Sequence, residues 1–127
     1  MNSTFWFAIV LGGIALAIYF LSSGKDTNAL SAEEVQQKIA SDTNIVILDV
    51  RTNIEYTTGH LPNALLIPVQ ELNERITELN KFKDKEFIVY CRSGNRSRTA
   101  TSILTRNGFK AFNMQGGILR WTGDIVK

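Results

Sequence analysis

The sequence predicts an α/β domain, a parallel sheet with helices on both faces, preceded by one transmembrane helix. Three observations carry this reading. Short apolar runs alternate with segments of helical spacing from Ser31 onward, as in strands joined by crossover helices. The run Ile45-Val46-Ile47-Leu48-Asp49-Val50 is apolar without alternation except at Asp49, as strands buried on both faces are. Ahead of these, Phe5 to Leu21 contains no charged residue.

That front segment has seventeen residues. At about 1.5 Å rise per residue it covers roughly 25 Å, enough for a thin bilayer core. Trp6 and Tyr19 near its ends suit the two interfaces. A cleaved signal peptide is the rival reading, with Ser22-Ser23-Gly24 as a cleavage site. Met1-Asn2-Ser3-Thr4 carries no lysine or arginine, however, and the apolar run is long for such a peptide. The expectation is an uncleaved anchor over residues 1–24, a polar linker over 25–30 and a domain over 31–127. Lys25 follows the run and nothing basic precedes it. The positive-inside rule then places the domain in the cytoplasm. The external or periplasmic side is the alternative.

Within the domain, Ser31-Ala32-Glu33-Glu34 reads as a capping box, and Val35 and Ile39 give the following helix an apolar face. Ile45 to Val50 is the first strand. Ala64-Leu65-Leu66-Ile67 is a second, stopped by Pro68. Leu72, Ile76 and Leu79 fall at helical spacing. Phe87-Ile88-Val89-Tyr90 is the third strand. Ala100, Ile103 and Leu104 mark a helix that Asn107-Gly108 ends. Ala111-Phe112-Asn113-Met114 is the fourth strand, and Gly116-Gly117 opens a last short helix carrying Trp121. Phe87 and Phe112 are expected in the core.

The composition excludes several classes of function. With 14 Lys+Arg against 12 Asp+Glu, all from Lys25 onward, the net +2 does not point to nucleic acid or anionic lipid as a partner. One cysteine, Cys91, excludes an intramolecular disulfide, and with one histidine, His60, it excludes a Cys/His metal site within one chain. In parallel sheets, sites lie at the carboxyl ends of strands. Asp49 and Cys91 fall at such ends.

Cys91 opens the loop Arg92-Ser93-Gly94-Asn95-Arg96-Ser97, which leads into a helix. Such a loop can aim backbone N–H groups inward, and the helix N-terminus adds partial positive charge. Arg92 and Arg96 add full charges, and together these favour the thiolate. Lowering a thiol pKa from about 8.5 to about 6.5 raises its thiolate fraction at pH 7 from roughly 3% to roughly 75%. Intrinsic nucleophilicity falls roughly 6- to 10-fold over the same shift. The net gain in attack is only a few-fold, so the loop's larger task is to hold an anion.

From Ser31 to Trp121 the chain resembles a single-domain rhodanese, a sulfurtransferase. The resemblance is carried by Leu48-Asp49-Val50-Arg51 with Glu55-Tyr56, by Gly59-His60-Leu61-Pro62-Asn63-Ala64, by Cys91 to Ser97, and by Gly108-Phe109 with Gly116-Gly117 and Trp121. It implies a rhodanese-like fold and a Cys91 thiolate that takes the outer sulfur of a small anionic donor such as thiosulfate. The resulting persulfide, held by the loop, passes its sulfur to a thiol or cyanide-like acceptor. No metal or organic cofactor is implied. Arg92, Ser93, Gly94, Asn95, Arg96 and Ser97 are the expected substrate-binding residues, with Asp49 and Arg51 supporting the loop.

Finer roles are open to test. Arg96 is expected to pair with Asp49, and Arg51 with Glu55. Ser93, Asn95 and Ser97 either bond the sulfur or cap the following helix. His60 reads as a structural turn residue and Trp121 as a packing residue. Cysteine phosphatases place five residues between cysteine and arginine, whereas Cys91 and Arg96 are separated by four and Ser97 stands where the arginine would be. Phosphatase or arsenate-reductase chemistry is therefore the lesser alternative. A non-enzymatic persulfide carrier or membrane-docking module is the nearer one.

Overall fold

The computed structural model describes residues 12–18 and 27–127. Residues 12–18 are helical, with Ile14, Leu16 and Ile18 exposed. The rest of the expected anchor, including Trp6 and Tyr19, lies outside the described residues. Among the described residues, no helix is long and apolar enough to cross a membrane.

The domain starts earlier than the expected linker allows. Ala29–Leu30 form β1, a parallel edge strand registered on Asn113 and Met114. There follow α1 (Ala32–Ser41), β2 (Ile45–Asp49), α2 (Asn53–Thr58), β3 (Leu65–Leu66), α3 (Leu72–Arg75), β4 (Glu86–Tyr90), α4 (Asn95–Arg106) and β5 (Lys110–Met114). The sheet order is β1-β5-β4-β2-β3 and every pairing is parallel. β4 is therefore central, with β2 on one side and β5 on the other.

The two-face burial follows from the period-2 alternation of side chains along a strand. Val46, Leu48, Phe87, Val89 and Cys91 face one core, together with Leu72, Leu79, Ala100 and Leu104. Ile47, Ile88 and Tyr90 face the other, together with Ala32 and Val35 of α1. Helices thus cover both faces, and β2 and β4 had to be apolar throughout. Phe87 is fully buried, whereas Phe112 is half-buried.

The capping box of α1 is present: the Ser31 hydroxyl accepts from Glu34 N, and Glu34 accepts from Ser31 N. A second box, Thr52 with Glu55, starts α2, which the sequence reading left as connection. The Leu72–Ile76–Leu79 segment is not one helix. One α-turn, α3, is flanked by 3-10 turns at Val69–Glu71 and Ile76–Phe82. Leu72 and Leu79 are still buried from it. The last helix is a 3-10 turn, Gly117–Arg120, and Trp121 follows it, its indole N–H donating to Asp124 O.

Candidate active site

β4 ends at Tyr90, and Cys91 is the next residue, only 1% exposed. The chain then turns through Gly94, whose φ of 105° lies in the left-handed region that favours glycine, and enters α4. The turn brings Gly94 N–H to 3.1 Å from Cys91 Sγ. The Ser97 hydroxyl, one turn into α4, lies 3.3 Å from the same sulfur. Ser97 is thus the hydroxyl that bonds the sulfur, while the side chains of Ser93 and Asn95 are exposed. Burial pushes the Cys91 thiol up. Hydrogen bonds from the Ser97 hydroxyl and from the backbone amides of Ser97, Gly94 and Ser93 more than offset it, leaving the thiol below its ordinary value.

Two neighbouring elements hold this loop. From the β5 side, Ile118 N donates to Cys91 O at 2.9 Å and Leu119 N to Arg92 O at 3.2 Å. Gly117 passes so close beneath that a Cβ there would stand 2.4 Å from Arg92 O. From the β2 side, Arg96 donates from Nη1 and Nη2 to the two carboxylate oxygens of Glu55 at 2.7 and 2.9 Å.

The ion pairs are therefore not those expected. Asp49 pairs with Arg51, whose Nη2 donates at 2.7 Å, and accepts the Tyr90 phenol at 2.7 Å. The reason is alternation: Asp49 registers on Tyr90, so its side chain shares the Tyr90 face, whereas Cys91 lies on the other. Arg51, two residues along, stays on that face and reaches Gly59 O at 2.7 Å. Burial and the bond to Asp49 push the Tyr90 phenol well up. Glu55 is left for Arg96, and the support expected of Asp49 for Arg96 comes from Glu55 instead. The Arg96 guanidinium holds the Glu55 carboxyl down at about 2 against an ordinary 4.5.

The sign of the resulting pH dependence follows from that depression. The pair's contribution is complete above pH 4.5 and drains as pH falls towards about 2. Arg96 is 33% and Glu55 28% exposed, so solvent screening discounts the pair to about 1 kcal/mol. Glu55→Gln is expected to lower stability by that amount at neutral pH and to flatten the acid limb. Urea unfolding at several pH values measures both; an unchanged acid limb would show the pair to be energetically silent.

Arg92 is exposed at the mouth of the loop. His60 is a turn residue, as expected: its ring stacks on Tyr56 with centroids 3.6 Å apart, and its backbone bridges to Val126. No group of three or more His, Cys, Asp or Glu is placed for a metal among the described residues. The sequence reading gave Glu55 to Arg51 and so missed its contact with the loop, and it did not assign Asn113 to the site. Glu55 occupies the third helical position of a capping box, which is a readable signal. Asn113, 1% exposed on β5, donates from Nδ2 to Gly94 O at 3.2 Å and accepts the Ser97 hydroxyl at 2.6 Å. Its signal was a lone carboxamide inside an apolar strand.

Comparison with known proteins agrees with this geometry. A family model described as a rhodanese-like domain matches residues 31–124. A protein of Allochromatium vinosum described as a sulfurtransferase is 34% identical over 95 residues, covering 74% of this chain and 87% of that protein. The crystal structure of a rhodanese-like domain protein from Staphylococcus aureus gives a TM-score of 0.69 at 32% identity, covering 76% of this chain and 92% of that one. A thiosulfate sulfurtransferase from Pseudomonas aeruginosa gives 0.67 at 29% identity, covering 77% of this chain but 20% of that longer one.

Proposed function

The chain belongs to the rhodanese-like domain family, and on that premise we propose that it is a sulfurtransferase working through a persulfide on Cys91. The Cys91 thiolate attacks the outer sulfur of thiosulfate or a similar small anion. The donor's S–S bond breaks and sulfite leaves with its electron pair. The new terminal sulfur carries the negative charge as Cys91–S–S⁻. A thiolate or cyanide-like acceptor then attacks that sulfur, and Cys91 departs as the thiolate. Arg92, exposed at the mouth, guides the anion in.

The observation that carries this reading is a sulfur 1% exposed yet met by Gly94 N–H and the Ser97 hydroxyl. Such donors suit an anion on sulfur and shield it from water. The phosphatase alternative is disfavoured by Arg96, whose two terminal nitrogens each donate to Glu55, so that its guanidinium is anchored to α2.

Incubation with thiosulfate is expected to add about 32 Da, the mass of one sulfur, to the wild-type protein and nothing to Cys91→Ser. Subsequent cyanide should remove the added mass and yield thiocyanate. No adduct on the wild type, or an adduct on both proteins, would refute the enzyme reading. Loading without release to cyanide or a thiol would leave the carrier reading. Cys91-dependent release of phosphate from an ester would favour the phosphatase.

Residues 5–21 are proposed to tether this chemistry to a membrane, with the domain on the cytoplasmic side. The support is their uncharged length and the lysine that follows. Full-length protein should stay with membranes through alkaline extraction and a variant lacking residues 1–24 should not. Recovery of both in the soluble fraction would remove the tether. Protease added outside intact cells should spare the domain; digestion would move it to the external side.

A further inference from the structure

Hydrogen-bond valence at Cys91 does not close, and the imbalance points to Asn113. The Ser97 hydroxyl has one proton. It faces two acceptors, Cys91 Sγ at 3.3 Å and Asn113 Oδ1 at 2.6 Å. The Asn113 amide cannot turn to suit, because its Nδ2 donates to Gly94 O. In the thiol state every demand is met in one direction: Cys91 S–H donates to Ser97 Oγ, the Ser97 hydroxyl to Asn113 Oδ1, and Asn113 Nδ2 to Gly94 O. When the thiol loses its proton to solvent, the sulfur becomes a pure acceptor. The Ser97 hydroxyl must rotate towards it and leave a buried carboxamide oxygen without that donor. All three residues are buried, so water does not take up the slack.

We propose that Asn113 is a positioning residue that competes with the Cys91 sulfur for the single Ser97 proton. It holds the resting cysteine towards the thiol, and the hydroxyl is released to the sulfur when an anion forms there. The effect acts through Ser97 and not through charge. The charged groups around the site are Arg92 in the loop, Arg96 on α4 paired with Glu55 from α2, and the Asp49–Arg51 pair on the opposite face of the sheet. The proposal requires only that Cys91 be a titrating thiol. It is tested without any sulfur donor, so its failure and the failure of persulfide loading are separate results.

The test is the thiol titration, followed by ultraviolet thiolate absorbance against a Cys91→Ser blank. Asn113→Leu, close in shape and without polar atoms, is expected to titrate about one pH unit lower than wild type. In a Ser97→Ala background, Asn113→Leu should shift nothing. An unchanged or raised value in the single variant overturns the proposal. So does an equal downward shift in both backgrounds, which would mean that Asn113 acts by loosening the loop at Gly94. Should Asn113→Leu fail to fold, the wild type answers alone. The Asn113 carboxamide carbon resonance should move with the midpoint of the Cys91 titration, and a carboxamide silent through that titration overturns the proposal equally.

Discussion

Gly117→Ala is expected to dismantle the Cys91 loop. An added Cβ would lie 2.4 Å from Arg92 O, 2.5 Å from Arg92 C and 2.5 Å from Cys91 O, all backbone atoms. No side chain can swing away to make room. Gly117 also has φ 61°, where alanine costs about 1–2 kcal/mol. Relief requires the 3-10 turn to move off the loop, which gives up the bonds from Ile118 N and Leu119 N. Overpacking adds about 1–3 kcal/mol, so the total is about 2–5 kcal/mol, among the larger effects a single methyl can have. Because the two lost bonds fix the carbonyls of Cys91 and Arg92, sulfur loading should fall by about 100-fold even in the folded fraction. Gly108→Ala is the control. It also has a positive φ, 84°, but its nearest neighbour is the end of the Lys83 side chain at 3.6 Å. It should lose only about 1–2 kcal/mol, from backbone strain alone, and load sulfur normally. Urea unfolding and the mass increment on Cys91 measure both variants. Equal behaviour of the two would show that close approach at Gly117 is not what shapes the loop.

The contrast between these glycines shows what a sequence can and cannot say. Gly116-Gly117 is visible as a helix opening, yet its cost lies in atoms of a loop some 25 residues earlier in the chain, about as far as such a βα unit separates them. The strands were legible because burial on both faces demands apolar runs, and Ile45 to Val50 and Phe87 to Tyr90 supply them. β1 was not legible: two residues, Ala29 and Leu30, are too few to show a period, and only pairing with β5 makes them a strand. The position of Cys91 was legible from the strand-end rule, and the loop that follows from its glycine and arginines. The pairing of charges was not. Asp49 and Cys91 occupy neighbouring strand ends, but which face each side chain takes depends on where each run stops relative to the pleat. Asp49 stops in register with Tyr90, and Cys91 comes one residue later. That single residue sends Asp49 away from Arg96 and leaves Glu55, carried in by a helix the sequence reading did not assign, to take its place.

The same separation of faces makes the loss of Asp49 a matter of stability. Asp49 is fully buried and accepts from three donors of Arg51, N, Nε and Nη2, and from the Tyr90 hydroxyl. Arg51 is 5% exposed and 5.5 Å from the Tyr90 ring centroid. Removing the carboxylate strands a buried guanidinium and a buried phenol together. Asp49→Ala is expected to lose about 3–5 kcal/mol, the usual cost of breaking a buried pair from one side. Removing both charges together is expected to cost much less. Asp49→Leu with Arg51→Met fills the site with apolar volume and leaves no orphaned cation, so much of the loss should return, offset by the residue 51 N–H, the Tyr90 hydroxyl and Gly59 O, which lose partners. Sulfur loading separates this from a catalytic role. Asp49 lies across the sheet from Cys91, so the double variant, assayed well below its melting temperature, should load sulfur within about 3-fold of wild type. A loss of loading by about 100-fold in a stably folded double variant would place the Asp49 charge in the reaction and overturn its reading as a pillar beneath the sheet.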